Sequence, residues 1–244
     1  MNKIVKSAEV PKTLADKAEF ETEKIRKAVK QGLNFSLSSI YRAKDVKRQL
    51  RNDQHGKCAY CERYLNGDYG AVEHYRPVKA YQQCQGSPLQ SPGYYWLCYD
   101  WKNLLLSCDT CNSSYKRNLF PLADERERNI AEERIGKEIP LIINPVYDDP
   151  GTYIEYRQYE VCAKSVGQLG TIKGETTIKI FHLNDDPLLV ESRRRVWGRY
   201  VQVKAIKKIL SCCPNANLSI DLSEFTNDSA EFAGMFRYQN PKFF

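Results

Sequence analysis

Apolar residues recur at helical spacing near the amino end of the chain. They predict one helix from Thr13 to about Gln31 and a second from about Ile40 to Gln54, with Thr13 and Ser39 as capping residues. Opposite its apolar stripe, the second helix carries several arginines and lysines. This basic segment either packs on the rest of the protein or contacts DNA, and the pattern does not choose between them.

The middle of the chain alternates short apolar runs with turn residues. The sequence NGDYG at 66–70 predicts a chain reversal between two short strands, the second of which carries Val72 to Arg76. Residues 79–93 are rich in Gln, Ser, Gly and Pro and are expected to form a loop. A short helix is predicted from about Thr110 to Asn118.

The remaining residues mix charged, strand-like and helical patterns. The predicted elements are, in order, an exposed helix over Arg126–Lys137, strands at Leu141–Ile143 and Tyr153–Val161, a loop punctuated by Gly167, Gly170 and Gly174, a long helix from Asp185 or Asp186 with Pro187 to about Leu210, and one more helix anchored by Phe225, Phe232 and Phe236. The fold class indicated is α+β.

Charge is unevenly distributed over the 244 residues, whose net charge is +7. Residues 1–57 carry fourteen Lys and Arg against seven Asp and Glu, and the remainder is balanced. An excess of positive charge at one end suits contact with a phosphate backbone. A solvated helical face explains it equally well.

Cysteine content and apolar runs bear on the cellular compartment. The chain has nine cysteines, and its first residues, MNKIVKSAEV, lack the apolar segment of a secretory signal. Metal ligands and reduced thiols are therefore expected instead of disulfides, with a cytoplasmic location. Runs such as Leu104–Leu106 are far too short to span a bilayer, so no membrane partner is expected.

Two C-x₂-C pairs, Cys58 with Cys61 and Cys108 with Cys111, predict a metal site. Four thiolates satisfy tetrahedral zinc, and each C-x₂-C turn supplies two of them from one tight loop. We expect a structural Zn²⁺ that staples the segment between the pairs. The other cysteines are expected to be buried thiols: Cys84, Cys98, Cys162, Cys212 and Cys213.

An acid–histidine pair and two asparagines lie between or directly after these cysteines. His74 is the candidate general base, because a neutral imidazole can accept a proton from water at physiological pH. Glu73 and Asn112 offer the oxygen donors that Mg²⁺ or Mn²⁺ prefers. Without this context, His74 would be a buried structural histidine and Asn112 a helix cap.

Glu73-His74, Asn103 and Cys108-x-x-Cys111-Asn112 resemble the HNH (ββα-metal) nuclease signature in its variant with paired C-x₂-C turns. A longer run, from HGKCAYCE (55–62) through EHYRP (73–77), YYWLCYDWKNLLLSC (94–108) and FPL (120–122), is similar to the PtuB-like HNH effectors of Septu-type and retron-linked anti-phage systems. The later INP-x-x-DDP (143–150) and TIKIFHLN (177–184) resemble the same family.

The resemblance implies roles for individual residues. Glu73 takes the place of the family's acidic metal ligand, Asn112 that of the residue completing the site, and Asn103 that of the residue holding the loop behind the base. The implied reaction is hydrolysis of DNA that leaves 5′-phosphate and 3′-hydroxyl ends. Arg76 and Lys116 are candidate phosphate contacts, although a plain surface position suits either equally.

The resemblance also implies an architecture and a partner. We expect a zinc-stapled HNH core at residues 55–125, an N-terminal helical basic arm at 1–54 and a mixed, mainly helical accessory region at 126–244. Effectors of this family work with an ABC/SMC-like, PtuA-like ATPase, and the present sequence has no G-x-x-x-x-G-K-[ST] phosphate loop. Two alternatives stay open, namely a zinc-stabilised DNA-binding or assembly module without cleavage and an RNA-directed nuclease.

Overall fold

Two helices form the amino-terminal part of the computed structural model, which describes residues 1–66, 70–129, 132, 135–212 and 220–243. Helix α1, Lys12–Lys30, confirms the first prediction. The second predicted helix is interrupted. A 3₁₀ turn, Ser39–Arg42, ends at the extended residue Ala43, and helix α2 spans Lys44–Asp53.

Asp45, in the first turn of α2, connects this helix to the start of α1. Its carboxylate accepts hydrogen bonds from the backbone N–H and the hydroxyl of Thr13, both at 2.8 Å. Thr13 is therefore not the N-cap of α1, a position that Pro11 occupies. Ser39 likewise lies inside the 3₁₀ turn and caps no helix. The two side chains predicted to start helices instead serve a helix–helix connection and a turn.

The central sheet differs from the predicted hairpin. Strand β1, Ala71–His74, pairs antiparallel with β2, Leu104–Ser107, so that Glu73 lies opposite Leu105 and His74 opposite Leu104. Of the predicted turn at 66–70, residues 67–69 lie outside the described residues. Strand β2 is buried throughout, and pairing it with β1 places its apolar run in the core.

The second edge of β2 is covered without a third strand. Gln54 accepts a hydrogen bond from the Leu106 N–H and donates one to the Leu106 carbonyl, both at 2.8 Å. The N–H of Ala59 donates to the same carbonyl at 2.9 Å. One side chain thus replaces a neighbouring strand, which satisfies buried backbone groups that would otherwise be costly.

A short helix follows the second cysteine pair, as predicted, but its hydrogen bonds are of the wider π type. It spans Thr110–Lys116, and the Arg117 N–H donates to the Asn112 carbonyl, five residues back, at 2.8 Å. Such wide turns occur frequently at functional sites. The described residues 79–93 form the expected loop, which is closed by paired backbone hydrogen bonds between Tyr81 and Gln90.

Two predictions for residues 126–143 are wrong. Arg126–Lys137 is not one exposed helix, because the 3₁₀ turn Glu125–Glu127 leads into an extended, buried Arg128. Leu141–Ile143 is not a strand. The Ile142 carbonyl accepts from the Tyr75 hydroxyl at 2.7 Å, and the Ile143 N–H donates to Thr177 Oγ1 at 2.9 Å. Side chains thus satisfy these backbone groups in place of a neighbouring strand.

The glycine-punctuated segment is a helix and not a loop. A short helix, α3 (Pro150–Tyr153), precedes the hairpin of β3 (Ile154–Arg157) and β4 (Glu160–Ala163), and α4 spans Gln168–Ile180. A Cβ atom at Gly174 would lie 2.4 Å from the Tyr153 carbonyl oxygen. This glycine therefore lets α4 approach the hairpin closely.

The last predicted long helix is confirmed. Helix α5, Pro187–Ser211, is capped by Asp186, whose carboxylate accepts from the backbone N–H groups of Leu188 and Leu189. After it, two short helices, α6 (Ser223–Thr226) and α7 (Ala233–Arg237), replace the single one predicted. The three phenylalanines expected to anchor this part, Phe225, Phe232 and Phe236, are all buried.

Buried residues from the three predicted parts of the chain belong to one hydrophobic cluster. Tyr60, between the first two cysteines, stacks on Phe181 at the end of α4 with ring centroids 3.9 Å apart. The carboxyl-terminal half thus packs directly on the first cysteine turn. None of the helices in the described part of the chain combines the length and the apolar character needed to cross a membrane.

Candidate active site

Four cysteines form the most compact side-chain cluster near the central sheet. The Sγ atoms of Cys58, Cys61, Cys108 and Cys111 all lie within 4.8 Å of one another. Zinc–sulfur bonds of about 2.3 Å place tetrahedral thiolates about 3.8 Å apart. The Cys61 and Cys108 sulfurs are 3.9 Å apart, so the cluster could hold a metal ion such as zinc.

The other cysteines correct a prediction. Cys98 is buried, but Cys84 and Cys212 are exposed and Cys162 is half-buried. Cys213 lies outside the described residues. Every described cysteine is free of disulfide bonds.

The end of β1 places Glu73 and His74 in different surroundings. Successive strand residues point to opposite faces of a sheet. Glu73 is 4% exposed and contacts Lys116, whereas the His74 ring meets a backbone carbonyl and the ring of Tyr41. Convergence of the two side chains on one ion therefore stays a prediction.

His74 is held by one ring nitrogen. Its Nε2 lies 2.8 Å from the Cys98 carbonyl oxygen. Because a carbonyl can only accept, Nε2 must carry the hydrogen, and the lone pair of the neutral ring is on Nδ1. Burial lowers the pKa of His74 to about 4, the Cys98 carbonyl opposes this shift, and Lys116 adds to it. The imidazole is therefore neutral at physiological pH, as a general base must be.

Glu73 carries the buried carboxylate of the site. The Lys116 ammonium lies 2.5 Å from Glu73 Oε1 and donates to the His74 carbonyl at 3.1 Å. Burial raises the pKa of Glu73, and the charge of Lys116 opposes that shift. The carboxylate is a suitable ligand for a hard divalent cation, but Lys116 already pairs with one of its oxygens.

Asn112 lies on the same helix as Lys116, four residues earlier. Positions one turn apart project from the same side of a helix, so the half-buried Asn112 is on the side from which Lys116 reaches Glu73. One carboxylate and one carboxamide fit the donor set of Mg²⁺ or Mn²⁺. The Lys116–Glu73 pair is the feature of the site that fits such an ion least.

Asn103 connects the two chain segments that flank the sheet. Its Oδ1 accepts the Arg76 N–H at 2.8 Å, and its Nδ2 donates to the Arg76 and Leu97 carbonyls at 3.1 and 3.2 Å. The backbone carbonyl of Asn103 accepts from the Tyr75 N–H at 2.9 Å. The residue thus fixes the chain directly after His74, which is the geometry expected of a positioning residue.

Arg76 and Lys116 are less available to phosphate than predicted. Lys116 has an exposure of 0%, and the Arg76 guanidinium pairs with the buried Glu138 carboxylate and lies 5.0 Å from the centroids of the Tyr94 and Phe120 rings. Phosphate contact by either side chain would require these ion pairs to open. Their assignment stays a prediction.

Two residues near the candidate site, Lys6 and Tyr41, were not predicted from the sequence. Lys6 donates to the Trp101 and Leu104 carbonyls at 2.5 and 2.7 Å and lies over the Trp101 ring, so it braces the segment that carries Asn103. The Tyr41 and His74 ring centroids are 5.0 Å apart. Neither residue belongs to a motif, and an aromatic residue next to a basic run is the only signal that Tyr41 offered.

No protein-family model matches the chain. Individual proteins of known name are nevertheless similar to it. A protein named Septu protein PtuB from Bacillus mycoides (strain KBAB4) is 37% identical over 169 residues, which cover 68% of this chain and 55% of that protein. The chain is a PtuB-like protein. The resemblance inferred from the sequence is thereby confirmed, whereas the HNH chemistry is a separate question.

Two further relatives extend this finding for the PtuB-like chain. Septu protein PtuB from Bacillus thuringiensis is 28% identical over 186 residues, covering 75% of this chain and 58% of that protein. Septu protein PtuA from Bacillus mycoides (strain KBAB4) is 28% identical over 146 residues, covering 59% of this chain and 20% of that protein. The chain thus spans a little over half the length of its PtuB relatives, and only a segment of the PtuA protein is similar to it.

Proposed function

We propose that the chain is a metal-dependent HNH endonuclease that hydrolyses DNA phosphodiester bonds. The orientation of His74 carries this proposal. Because Nε2 is bound to the Cys98 carbonyl, the free lone pair on Nδ1 can accept a proton from water.

In the proposed reaction, His74 takes a proton from a water that attacks phosphorus in line with the leaving 3′-oxygen. Asn103 keeps the chain after His74 in place, so the imidazole does not have to be ordered during the reaction. A divalent cation bound by Glu73 and Asn112 would neutralise charge developing on the phosphate. The four-cysteine cluster would hold Zn²⁺ and fix the Cys58–Cys61 turn relative to the end of β2 and the helix of Asn112.

The biological role proposed is that of a nuclease effector in a Septu-type anti-phage system with a PtuA-like ATPase partner. The PtuB relatives support the system, and the PtuA relative supports the partner. Part of a protein named PtuA is similar to this chain. A segment resembling the present PtuB-like chain thus occurs within a PtuA polypeptide. That arrangement is expected of modules that act together.

A plasmid-nicking assay with Mg²⁺ or Mn²⁺ tests the activity. We expect His74→Ala to lower the cleavage rate by about 10²–10⁴-fold, the usual contribution of a positioned general base. His182→Ala is the control, because this histidine is exposed and its ring contacts Tyr115 and Asp185. Equal cleavage by wild type and His74→Ala would remove the catalytic assignment.

One observation favours a second candidate, a zinc-stabilised nucleic-acid-binding or assembly module without cleavage. Glu73 is paired with Lys116, so the buried carboxylate is balanced without any added cation. This candidate predicts that His74→Ala leaves function intact whereas Cys108→Ser abolishes it. Offering DNA and RNA together in the same reaction would distinguish a DNA nuclease from an RNA-directed one.

A further inference from the structure

The cations assigned to phosphate from the sequence, Arg76 and Lys116, are both held in ion pairs, so the charge that receives a nucleic acid must come from elsewhere. Arg42 is exposed and ends the 3₁₀ turn Ser39–Arg42. The preceding residue, Tyr41, contacts the His74 ring, and the Arg42 guanidinium lies 5.7 Å from the centroid of the Tyr41 ring. An exposed cation is therefore connected to the proposed base through a single aromatic ring.

More positive charge continues from Arg42 into helix α2. Lys44 and Arg48 are exposed and stand one turn apart, with Lys47 half-buried between them. The same helix buries Val46 and Leu50 on its opposite side. The basic side chains thus form one solvent-facing arc that starts next to His74.

The arc is not neutralised by its own helix. Of the two carboxylates of α2, Asp45 accepts hydrogen bonds from Thr13, and Asp53 accepts from the Ser7 N–H and from Gln49. Within the described part of the chain, no salt bridge involves any of the four cations Arg42, Lys44, Lys47 and Arg48. By contrast, Arg76 and Lys116 each pair with a carboxylate.

We propose that Arg42, Lys44, Lys47 and Arg48 form a basic ledge that binds the DNA backbone and guides it to His74. This inference rests on the proposed nuclease function and identifies where its substrate is held. DNA is favoured over an acidic protein surface because the ledge begins at the ring that contacts His74, where a scissile phosphate must arrive. An acidic surface on the ATPase partner would have no reason to lie there.

Salt dependence of binding gives the inference a quantitative test. Each phosphate contact contributes about −0.9 to the slope of log K against log salt concentration for duplex DNA. Replacing three cations, Arg42→Gln, Lys44→Gln and Arg48→Gln, should therefore make the slope shallower by about 2.7 and weaken binding at least about tenfold. Fluorescence anisotropy with a labelled duplex measures both quantities, using the full chain without added Mg²⁺ or Mn²⁺ so that the duplex stays intact.

A matched triple variant removes the same charge from another exposed surface. Arg195→Gln, Lys207→Gln and Lys208→Gln alter helix α5, where all three side chains are exposed. We expect this control to keep nearly the wild-type slope. Circular dichroism and zinc content, measured on both triples, show that the fold is retained.

Three results would overturn the inference. The ledge triple could bind DNA with the wild-type slope, or the control triple could lose as much. The ledge triple could also bind DNA normally while losing the ATPase partner, which would make the ledge a protein-binding surface. Plasmid cleavage by wild type, assayed in parallel, separates these failures from that of the proposed function: intact cleavage with an unchanged slope rejects only the ledge, and absent cleavage rejects the nuclease itself.

Discussion

Between Cys58 and Leu122 the chain buries an ion pair beside a cluster of thiols, in addition to its apolar side chains, whereas the cluster around Phe236 on α5, α6 and α7 consists of aromatic rings. In the first region, Glu73 and Lys116 lie in the interior beside the four-cysteine cluster. In the second, Phe236 lies 4.8 Å from Tyr200, 5.3 Å from Phe225 and 5.9 Å from Trp197, measured between ring centroids. The two regions belong to one hydrophobic cluster, yet different forces stabilise them.

A buried ion pair and a buried aromatic cluster contribute differently to the stability of the fold. Burying an ion pair costs desolvation that the mutual attraction of the charges barely offsets. Burying aromatic side chains is favourable in proportion to the apolar area removed from water. A metal ion bound by the four cysteines can offset this desolvation cost in the first region, whereas the aromatic cluster of the second region carries no such cost.

Cys108→Ser should produce the largest effect. Structural zinc contributes on the order of 10 kcal/mol to small domains, so losing one thiolate should lower the free energy of unfolding by at least about 5 kcal/mol. Zinc content by elemental analysis and thermal unfolding check this expectation. The exposed Cys84 provides the control, since Cys84→Ser removes a thiol outside the cluster. Full stability of Cys108→Ser would show that the thiols do not hold a structural ion.

Phe236→Ala should rank second, with a loss of about 3–5 kcal/mol, as is usual for truncation of a buried aromatic side chain. Zinc content should stay at the wild-type level, because Phe236 packs among aromatic rings and offers no ligand to the cysteine cluster. Phe20→Ala is the control, since Phe20 is 67% exposed on α1. Chemical denaturation measures both variants, and loss of zinc from folded Phe236→Ala would show that the two regions are not separately stabilised.

Gln54→Ala should have the smallest effect of the three. It leaves the buried Leu106 N–H without its acceptor, while the Leu106 carbonyl keeps the N–H of Ala59. An unsatisfied buried group costs about 1–3 kcal/mol, and we expect about 2 kcal/mol in urea unfolding. Gln49→Ala removes a hydrogen bond from a half-buried glutamine to Asp53 and should cost less. Equal losses in the two variants would argue against the role of Gln54 as a substitute strand.

The structural features predicted best from the sequence are those determined by residues that are close together in the chain. Helices α1 and α5 follow from their apolar spacing, and Asp186 was among the residues expected to start α5. The cysteine cluster follows from two short spacings. In each case the interacting groups are few residues apart or belong to a repeated local motif, so the pattern contains the necessary information.

Long-range pairing could not be predicted in the same way. Strand β1 pairs with residues 30 to 36 positions later. Helix α4 was mistaken for a loop because its glycines serve packing against Tyr153. The contacts that orient the candidate site are of the same kind. Lys6 reaches the carbonyls that flank Asn103, and Cys98 holds His74 through its backbone, which no side-chain pattern records.

The contact between Lys116 and Glu73 has a consequence for metal uptake. The ammonium is attached to the same short helix as Asn112, so a divalent ion arriving at the carboxylate meets a competitor that cannot diffuse away. Occupancy then requires either that the ion share the two carboxylate oxygens with the lysine or that the lysine side chain turn away from the carboxylate. In the absence of added metal, the strand end carries its own counter-charge and needs no ion to remain folded around Glu73.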